Sequence, residues 1–177
     1  MVLLMTHGMR HTSMLVTLMI LCLACQQKVK DTTTSAANAS DIQTLEGSDA
    51  EMNKAIESAR SSLNKFEEAM RSNDPRYDLF ALKVMFPDQV GGSEHIWITD
   101  LVLENGQYRG LVGNEPQYTI LVEAGQEVTV DPEKISDWMY VEDGKLQGGY
   151  TLRVLRGRMS PHERAEFDRT LGITIDE

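Results

Sequence analysis

Cysteine is confined to the first 25 residues of this 177-residue chain, and every later position lacks it. This absence excludes a disulfide framework, a cysteine-ligated zinc site and a cysteine nucleophile from the body of the protein. Positive charge is also scarce, because 17 lysines and arginines face 27 aspartates and glutamates, a formal net charge of −10. Proteins that neutralise many phosphates need the opposite balance, so the composition argues against nucleic acid as a partner.

Motifs for the common catalytic chemistries are missing as well. The chain has no Gly-x-Ser-x-Gly elbow, phosphate loop or dinucleotide fingerprint. Beyond residue 24 histidine occurs only at His95 and His162, with no carboxylate at helical ligand spacing, so no metal site is recognisable. Glu94 beside His95 suggests a histidine base that is oriented by a neighbouring carboxylate. Adjacent strand residues point to opposite faces, however, and this favours a structural role for His95. We therefore predict no catalytic residues, no metal and no cofactor.

Residues 1–24 have the features of an export signal. They contain no acidic residue, one full positive charge at Arg10, and a mostly apolar run that extends over residues 14–25. This run is too short to cross about 30 Å of hydrocarbon as a helix, which needs about 20 residues. It fits a secretory signal peptide, and the sequence leaves open whether Met1, Met9 or Met14 is the true start.

The end of the apolar run, Leu23-Ala24-Cys25, resembles a bacterial lipobox, in which a small residue precedes the cysteine that becomes lipidated. The resemblance implies a membrane anchor through lipid on Cys25, and more than one acyl chain makes such anchoring stable. No aspartate follows Cys25, which by resemblance to Gram-negative lipoproteins implies an outer-membrane lipoprotein facing the periplasm. The alternative is ordinary cleavage after Ala24, which gives a soluble periplasmic or secreted protein.

The rest of the chain divides into a tether and one domain. Residues 25–47 begin with the candidate lipidated cysteine and are otherwise rich in Thr, Ser, Ala and Asn without periodicity, which predicts a flexible tether. Residues 48–177 have the length of a single domain.

The domain is predicted to begin with a helix. Ser48 and Glu51 have the spacing of a capping box, and apolar residues then recur at steps of three and four as far as Met70. The segment 73–75, Asn-Asp-Pro, ends the pattern. We expect this apolar stripe to pack on the domain's own sheet; a coiled-coil seam is the alternative.

The middle of the chain is rich in strand patterns. We predict strands over 79–86, 95–103, 108–112, 128–130, 135–141 and 150–155, a weaker strand or short helix over 117–123, and a final helix from Pro161 to Leu171. Asn105-Gly106 and Asp143-Gly144 predict hairpin turns. Consecutive hairpins without crossover helices predict an α+β fold, a small antiparallel sheet or partly open β-barrel flanked by an N-terminal and a C-terminal helix.

Charge is unevenly distributed along the domain. Residues 94–143 hold eleven acids against two cations, Arg109 and Lys134, whereas Arg153, Arg156 and Arg158 lie close together without an acid among them. One interpretation is an acidic face that meets a basic partner, or an arginine cluster that meets a carboxylate or phosphate. The alternative is a solvated acidic surface with arginines that pair internally.

Several short motifs resemble those of the bacterial YegJ-like family, classed as domain of unknown function 2314. They are Glu94-His95-Ile96-Trp97, the segment 110–116 with Asn114, residues 135–139, and residues 148–153, and the resemblance covers about residues 51–158. It implies a small, mostly β domain of bacteria, often attached to an export signal, and it implies no established activity. The matching positions are candidates for a surface groove or for signature packing of the fold: Glu94, Trp97, Asn114, Asp137, Trp138, Gly148, Gly149, Tyr150 and Arg153.

Taken together, these features favour an envelope-anchored lipoprotein whose β-rich domain binds a protein or peptide partner without catalysis. One alternative is a hydrolase that uses the carboxylates of Glu94 and Asp137, which requires the two groups to converge in one pocket. Another is an immunity or inhibitor protein whose acidic surface covers a basic partner.

Overall fold

The computed structural model describes residues 49–176, so the predicted signal peptide, Cys25 and the tether lie outside the described residues. Two helices come first, α1 (Ala50–Ser61) and α2 (Leu63–Ser72). Six strands follow: β1 (Tyr77–Pro87), β2 (Ser93–Glu104), β3 (Gln107–Val112), β4 (Glu127–Thr129), β5 (Ile135–Glu142) and β6 (Lys145–Gly148). Two further helices close the described chain, α3 (Tyr150–Arg158) and α4 (Pro161–Leu171).

The six strands form one antiparallel sheet in the order β4-β3-β2-β1-β5-β6. Hairpins join β1 to β2, β2 to β3 and β5 to β6, and β4 and β6 are the two edges of the sheet. The predicted α+β class with flanking helices is confirmed, and the sheet is open rather than closed into a barrel.

Both faces of the sheet carry apolar clusters, because side chains alternate along the central strands. Ile96 and Ile98 of β2 lie in the core beneath α1 and α2, together with Phe66. Trp97 between them lies in the core on the opposite face, to which α3 and α4 contribute Leu152 and the partly buried Phe167. We call these faces the helix-pair face and the C-terminal face.

The N-terminal apolar stripe forms two helices instead of one. Asp49 caps α1 by accepting from Met52 N, so the helix begins one residue later than a Ser48 cap would place it. The break at Ser62 has a local cause: the Ser62 hydroxyl donates to the Ser58 carbonyl at 2.7 Å, while the Ala59 carbonyl accepts from the Trp138 indole at 2.9 Å. Such competing bonds to helix carbonyls bend or interrupt helices.

The predicted strand over residues 150–155 is wrong, because these residues begin α3. Gly148 and Gly149 both have positive φ, 70° and 63°, and they turn the chain sharply out of β6. The side chain of Asp137 then caps the first N–H groups of the helix from β5. A cap from a distant strand overrides the strand propensity of the local sequence.

Residues 117–123 form neither a strand nor a helix but an irregular part of the loop between β3 and β4. Their amides bond to side chains instead of to a neighbouring strand, as described below.

Strand β6 was not predicted, because its four residues are too short to show a period. The C-terminal helix is confirmed, with its capping box at Ser160 and Glu163 and its end at Gly172. No helix within residues 49–176 is long and apolar enough to cross a membrane.

Candidate functional site

The carboxylate of Asp137 is completely buried and is the acceptor of four hydrogen bonds. Its Oδ1 accepts from the amides of Trp138 at 2.8 Å and Tyr150 at 3.1 Å, and its Oδ2 accepts from the Thr151 amide at 2.8 Å and hydroxyl at 2.6 Å. Burial raises the pKa of Asp137, and these hydrogen bonds together with nearby Lys83 oppose that rise. The carboxylate therefore ties β5 to the start of α3.

Lys83 connects this carboxylate to an aromatic side chain. In the sheet it pairs with Asp137 on one side and with Trp97 on the other. Its Nζ lies 3.2 Å from Thr151 Oγ1 and 5.4 Å from the centre of the Trp97 ring, which is a cation–π geometry. We call Lys83, Trp97, Asp137 and Thr151 the Asp137 network.

A β-bulge next to this network places the hydroxyl of Ser136 beside His95 of β2. The register between β1 and β5 shifts after the Lys83–Asp137 pair, and Ser136 is the extra residue. The buried Ser136 Oγ lies 2.7 Å from His95 Nδ1 and donates to the Lys83 carbonyl at 3.2 Å. Burial first, then the charges of Lys83 and Arg60, lower the pKa of His95 to about 4.

We predict that His95 makes the domain less stable in mild acid. The pKa of His95 is 6.5 in the unfolded chain and about 4 in the folded domain. Between these two pH values the unfolded chain binds a proton that the folded domain does not. Stability should fall as the pH drops from 6.5 toward 4, with a loss of about 2 kcal/mol between pH 7.5 and pH 5. Urea titrations of wild type and His95→Asn at both pH values measure it, because the variant should lack this component.

The matched control for that measurement is His162→Asn, at an exposed position in α4. It should follow the wild-type pH dependence. A His95→Asn variant that loses as much stability in acid as wild type would contradict the assignment.

Glu94, at the start of β2, organises the long loop between β3 and β4. Its carboxylate accepts three consecutive amides, from Gln117 at 2.7 Å, Tyr118 at 2.8 Å and Thr119 at 2.9 Å. Thr119 is buried, and its Oγ1 accepts from the Leu121 amide at 3.3 Å. The backbone of residues 117–121 is therefore fixed by two side chains rather than by strand pairing.

This fixed loop carries three large apolar side chains on its surface. Tyr118 is 69% exposed, Ile120 74% and Leu121 59%. We call residues 117–121 the apolar loop. Val90, which is 72% exposed in the β1–β2 turn, lies at the same end of the sheet, because β1 ends, β2 begins and β3 ends there. Scattered exposed apolar residues are common, but three within four positions expose an apolar patch along one short stretch of chain.

Three other motif residues, Asn114, Trp138 and Tyr150, make contacts within the fold. Asn114 is buried, and its Oδ1 accepts the Trp97 amide at 2.9 Å. Trp138 lies in the helix-pair core, where its ring meets the Tyr150 ring edge-on at 5.7 Å between centroids. The Tyr150 hydroxyl lies 2.8 Å from Ser62 Oγ, at the break between α1 and α2.

The motif residues after β5 hold the C-terminal part of the domain. A Cβ at Gly148 would lie 2.3 Å from the Trp138 carbonyl oxygen, and one at Gly149 would lie 2.8 Å from Leu146 Cδ2. Arg153 spreads its guanidinium over three backbone carbonyls, those of Gly148, Leu146 and Asp176.

The arginine cluster is internally satisfied. Arg156 forms a bidentate pair with Asp168 at 2.7 Å, and Arg158 pairs with both Asp49 and Glu51 near the start of α1. This arrangement confirms the interpretation that these arginines pair within the chain. They connect α3 to α4 and to α1.

The carboxylates of the alternative hydrolase do not converge. Glu94 alternates with Ile96 and Ile98, whose side chains enter the helix-pair core, whereas Asp137 pairs with Lys83 on the C-terminal face. Within residues 49–176 no group of three or more His, Cys, Asp or Glu side chains is arranged to hold a metal ion.

The sequence did not single out Lys83, Ser136, Thr151 or the apolar loop as candidates, although Ser136 and Thr151 lie within the motif segments. Lys83 is the one charged residue in an otherwise apolar strand pattern, and this pattern is a usable signal for a half-buried cation with a partner. The sequence around Asp137 does not indicate Thr151 as its hydrogen-bond partner, because that bond forms only once α3 packs against β5.

Comparison with known proteins identifies the family. A family model described as "Uncharacterized protein conserved in bacteria (DUF2314)" matches residues 49–175. The chain is 40% identical over 122 residues to "Uncharacterized protein YegJ" of Escherichia coli strain K12, covering 68% of this chain and 78% of that protein. It is 36% identical over 143 residues to "Putative ankyrin repeat protein NMB1133/NMB1171" of Neisseria meningitidis serogroup B, covering 77% of this chain but 56% of that protein.

No solved structure matches the chain significantly. The family match spans nearly all of the described residues, including every one of the candidate positions from Glu94 to Arg153. The chain therefore belongs to the DUF2314 family of bacterial proteins.

Proposed function

We propose that the protein is an envelope-anchored lipoprotein whose folded domain binds a protein or peptide partner through the apolar loop. The observation that carries the proposal is the exposure of Tyr118, Ile120 and Leu121 on a backbone held by Glu94. Exposed apolar patches on soluble domains mark interaction sites, and aromatic side chains are frequent anchors of binding energy.

The fixed backbone supports binding for an energetic reason. A loop that becomes ordered only on binding loses conformational entropy at that moment, and this weakens the complex. In the apolar loop three amides are already bonded to one carboxylate, so its side chains are presented in a defined arrangement. Binding to this loop should therefore cost less conformational entropy than binding to a flexible segment.

The anchoring part of the proposal rests on the lipobox resemblance at Cys25 and on the polar composition of the tether that follows. A lipid on Cys25 would hold the domain at the outer membrane, facing the periplasm. Residues 26–47 would then act as a flexible linker that lets the domain contact partners at some distance from the membrane surface. The partner would then be a protein or peptide of the envelope.

The anchoring prediction concerns Cys25→Ser. This variant should leave the membrane fraction and appear in the soluble fraction, while the domain stays folded as judged by circular dichroism. Cys22→Ser is the control, because Leu21 before it makes Cys22 a poor acceptor for lipid. Membrane association of Cys25→Ser equal to wild type would contradict the anchor.

The binding proposal is tested by photo-crosslinking in intact cells. A photoreactive amino acid replaces Ile120 in one strain and Glu57, an exposed position on α1, in a matched control strain. We expect a discrete crosslinked adduct from position 120 and none of the same mass from position 57. The same adduct from both positions, or no adduct from position 120, would overturn the assignment of the apolar loop as the binding surface.

A further inference from the structure

The part of the chain that contains the apolar loop is strongly acidic. Residues 77–133, which contain the first four strands and their loops, hold ten acidic residues against two basic ones. These residues account for most of the net negative charge of the described residues. The two basic residues are Lys83 and Arg109.

Neither of these cations offsets the charge near the loop. Lys83 is part of the Asp137 network, with its ammonium over the Trp97 ring on the C-terminal face. The guanidinium of Arg109 is paired with Glu104 and with Glu127 at 3.3 Å. Both cations therefore already interact with other groups.

Two acidic side chains flank the apolar loop directly. Glu115 and Glu123 are both exposed and lie two positions before and two positions after residues 117–121. No lysine or arginine occurs between Arg109 and Lys134. Along the chain the patch therefore has an exposed acidic residue on each side, and we call Glu115 and Glu123 its acidic border.

We propose that the partner of the apolar loop is a cationic polypeptide segment in which apolar side chains lie beside lysines or arginines. This inference rests on the proposed function and adds the chemistry of the partner. Apolar groups of the segment would cover Tyr118, Ile120 and Leu121, and its cations would meet Glu115 and Glu123. Complementary charge of this kind selects partners and speeds their association.

The same charges disfavour two other occupants. In a two-fold dimer the same patch would face itself, so acids would meet acids. An anionic lipid surface attracts basic segments and would be repelled by this border. Both remain measurable outcomes of the experiment below.

The test uses two synthetic fluorescent peptides with the same apolar centre, one flanked by lysines and the other by glutamates. Binding to the full chain in nanodiscs of zwitterionic lipid is measured by fluorescence anisotropy, with empty nanodiscs as the control. We expect the lysine-flanked peptide to bind at least about tenfold more tightly, and its affinity to fall at least about threefold when salt is raised to 0.5 M.

Two sets of substitutions locate the interaction. Glu115→Gln with Glu123→Gln should remove most of the preference between the peptides, whereas Glu57→Gln on α1 should leave it unchanged. Ile120→Ser with Leu121→Ser should weaken binding of the lysine-flanked peptide about tenfold or more.

Three results of the peptide assay would overturn the inference: equal affinity for both peptides, no binding of the lysine-flanked peptide, or binding that the loop substitutions do not affect. A fourth is self-association of the protein, or its binding to phosphatidylglycerol vesicles, that depends on Ile120. If the peptides bind equally while the crosslink from position 120 persists, only the charge inference fails. Loss of that crosslink removes the proposed function itself.

Discussion

Replacing Asp137 with alanine is expected to lower the free energy of unfolding by about 3–5 kcal/mol, the range found when one partner of a buried charged network is removed. The substitution leaves three amides and the Thr151 hydroxyl without their acceptor in a buried place. It also removes the carboxylate that faces Lys83. Equilibrium urea unfolding measures the change.

Two further variants keep this prediction testable. If the alanine variant does not fold, Thr151→Val should fold and lose about 1–2 kcal/mol, because it removes one of the four hydrogen bonds. Glu57→Ala, at an exposed position on α1, is the control and should change stability by less than about 0.5 kcal/mol. An Asp137→Ala variant as stable as that control would show that the network does not hold α3 to the sheet.

Gly148→Ala is expected to destabilise the domain by about 3 kcal/mol or more. The backbone there has a φ of +70°, which side-chain-bearing residues rarely adopt, and the added Cβ would lie 2.3 Å from the carbonyl oxygen of Trp138. Strain of this kind costs on the order of 1–3 kcal/mol, and the overlap with rigid backbone adds to it. Thermal unfolding followed by circular dichroism measures the loss.

The chain offers a matched glycine for comparison. Gly157 lies in α3, its φ is not positive, and a Cβ added there would meet no neighbouring atom within 4 Å. Gly157→Ala should therefore stabilise the domain by about 0.5–1 kcal/mol, since alanine is favoured over glycine inside helices. If the two substitutions shifted stability in the same direction, the close contact at Gly148 would not be a determinant of the fold.

The motif residues fall into two groups by what they contact. Trp97, Asp137 and Trp138 of the sheet and Asn114 of the loop after β3 are buried, and they determine packing. Glu94 is different, because its side chain leaves the sheet and fixes a surface loop. Glu94 is therefore the motif residue whose side chain bonds directly to the proposed binding surface.

Much of the sheet could be predicted from the sequence, because its signals are local. The hairpin turns at Asn105-Gly106 and Asp143-Gly144 have the positive φ angles that the turn requires. Ile96, Trp97 and Ile98 are apolar in succession, and the strand is indeed buried on both faces. The capping box at Ser160 likewise depends only on residues three positions apart.

The elements that could not be predicted depend on contacts between distant residues. Residues 150–155 have strand-like composition, yet Asp137, at least 13 positions earlier, makes them the start of a helix. The apolar loop takes its shape from Glu94, which lies 23–25 positions before the amides that it accepts. The partners of Asp137 and Glu94 become visible only once the sheet brings them together.

Amide hydrogen exchange measures whether Glu94 holds the apolar loop in a defined conformation. We expect the amides of residues 117–119 to be protected in wild type and to lose protection selectively in Glu94→Gln, while the amides of β1 and β5 stay protected. Glu123→Gln, beside the same loop, should leave the pattern unchanged. Exchange of these three amides at the unprotected rate in wild type, or equal protection in Glu94→Gln, would show that Glu94 does not fix the loop.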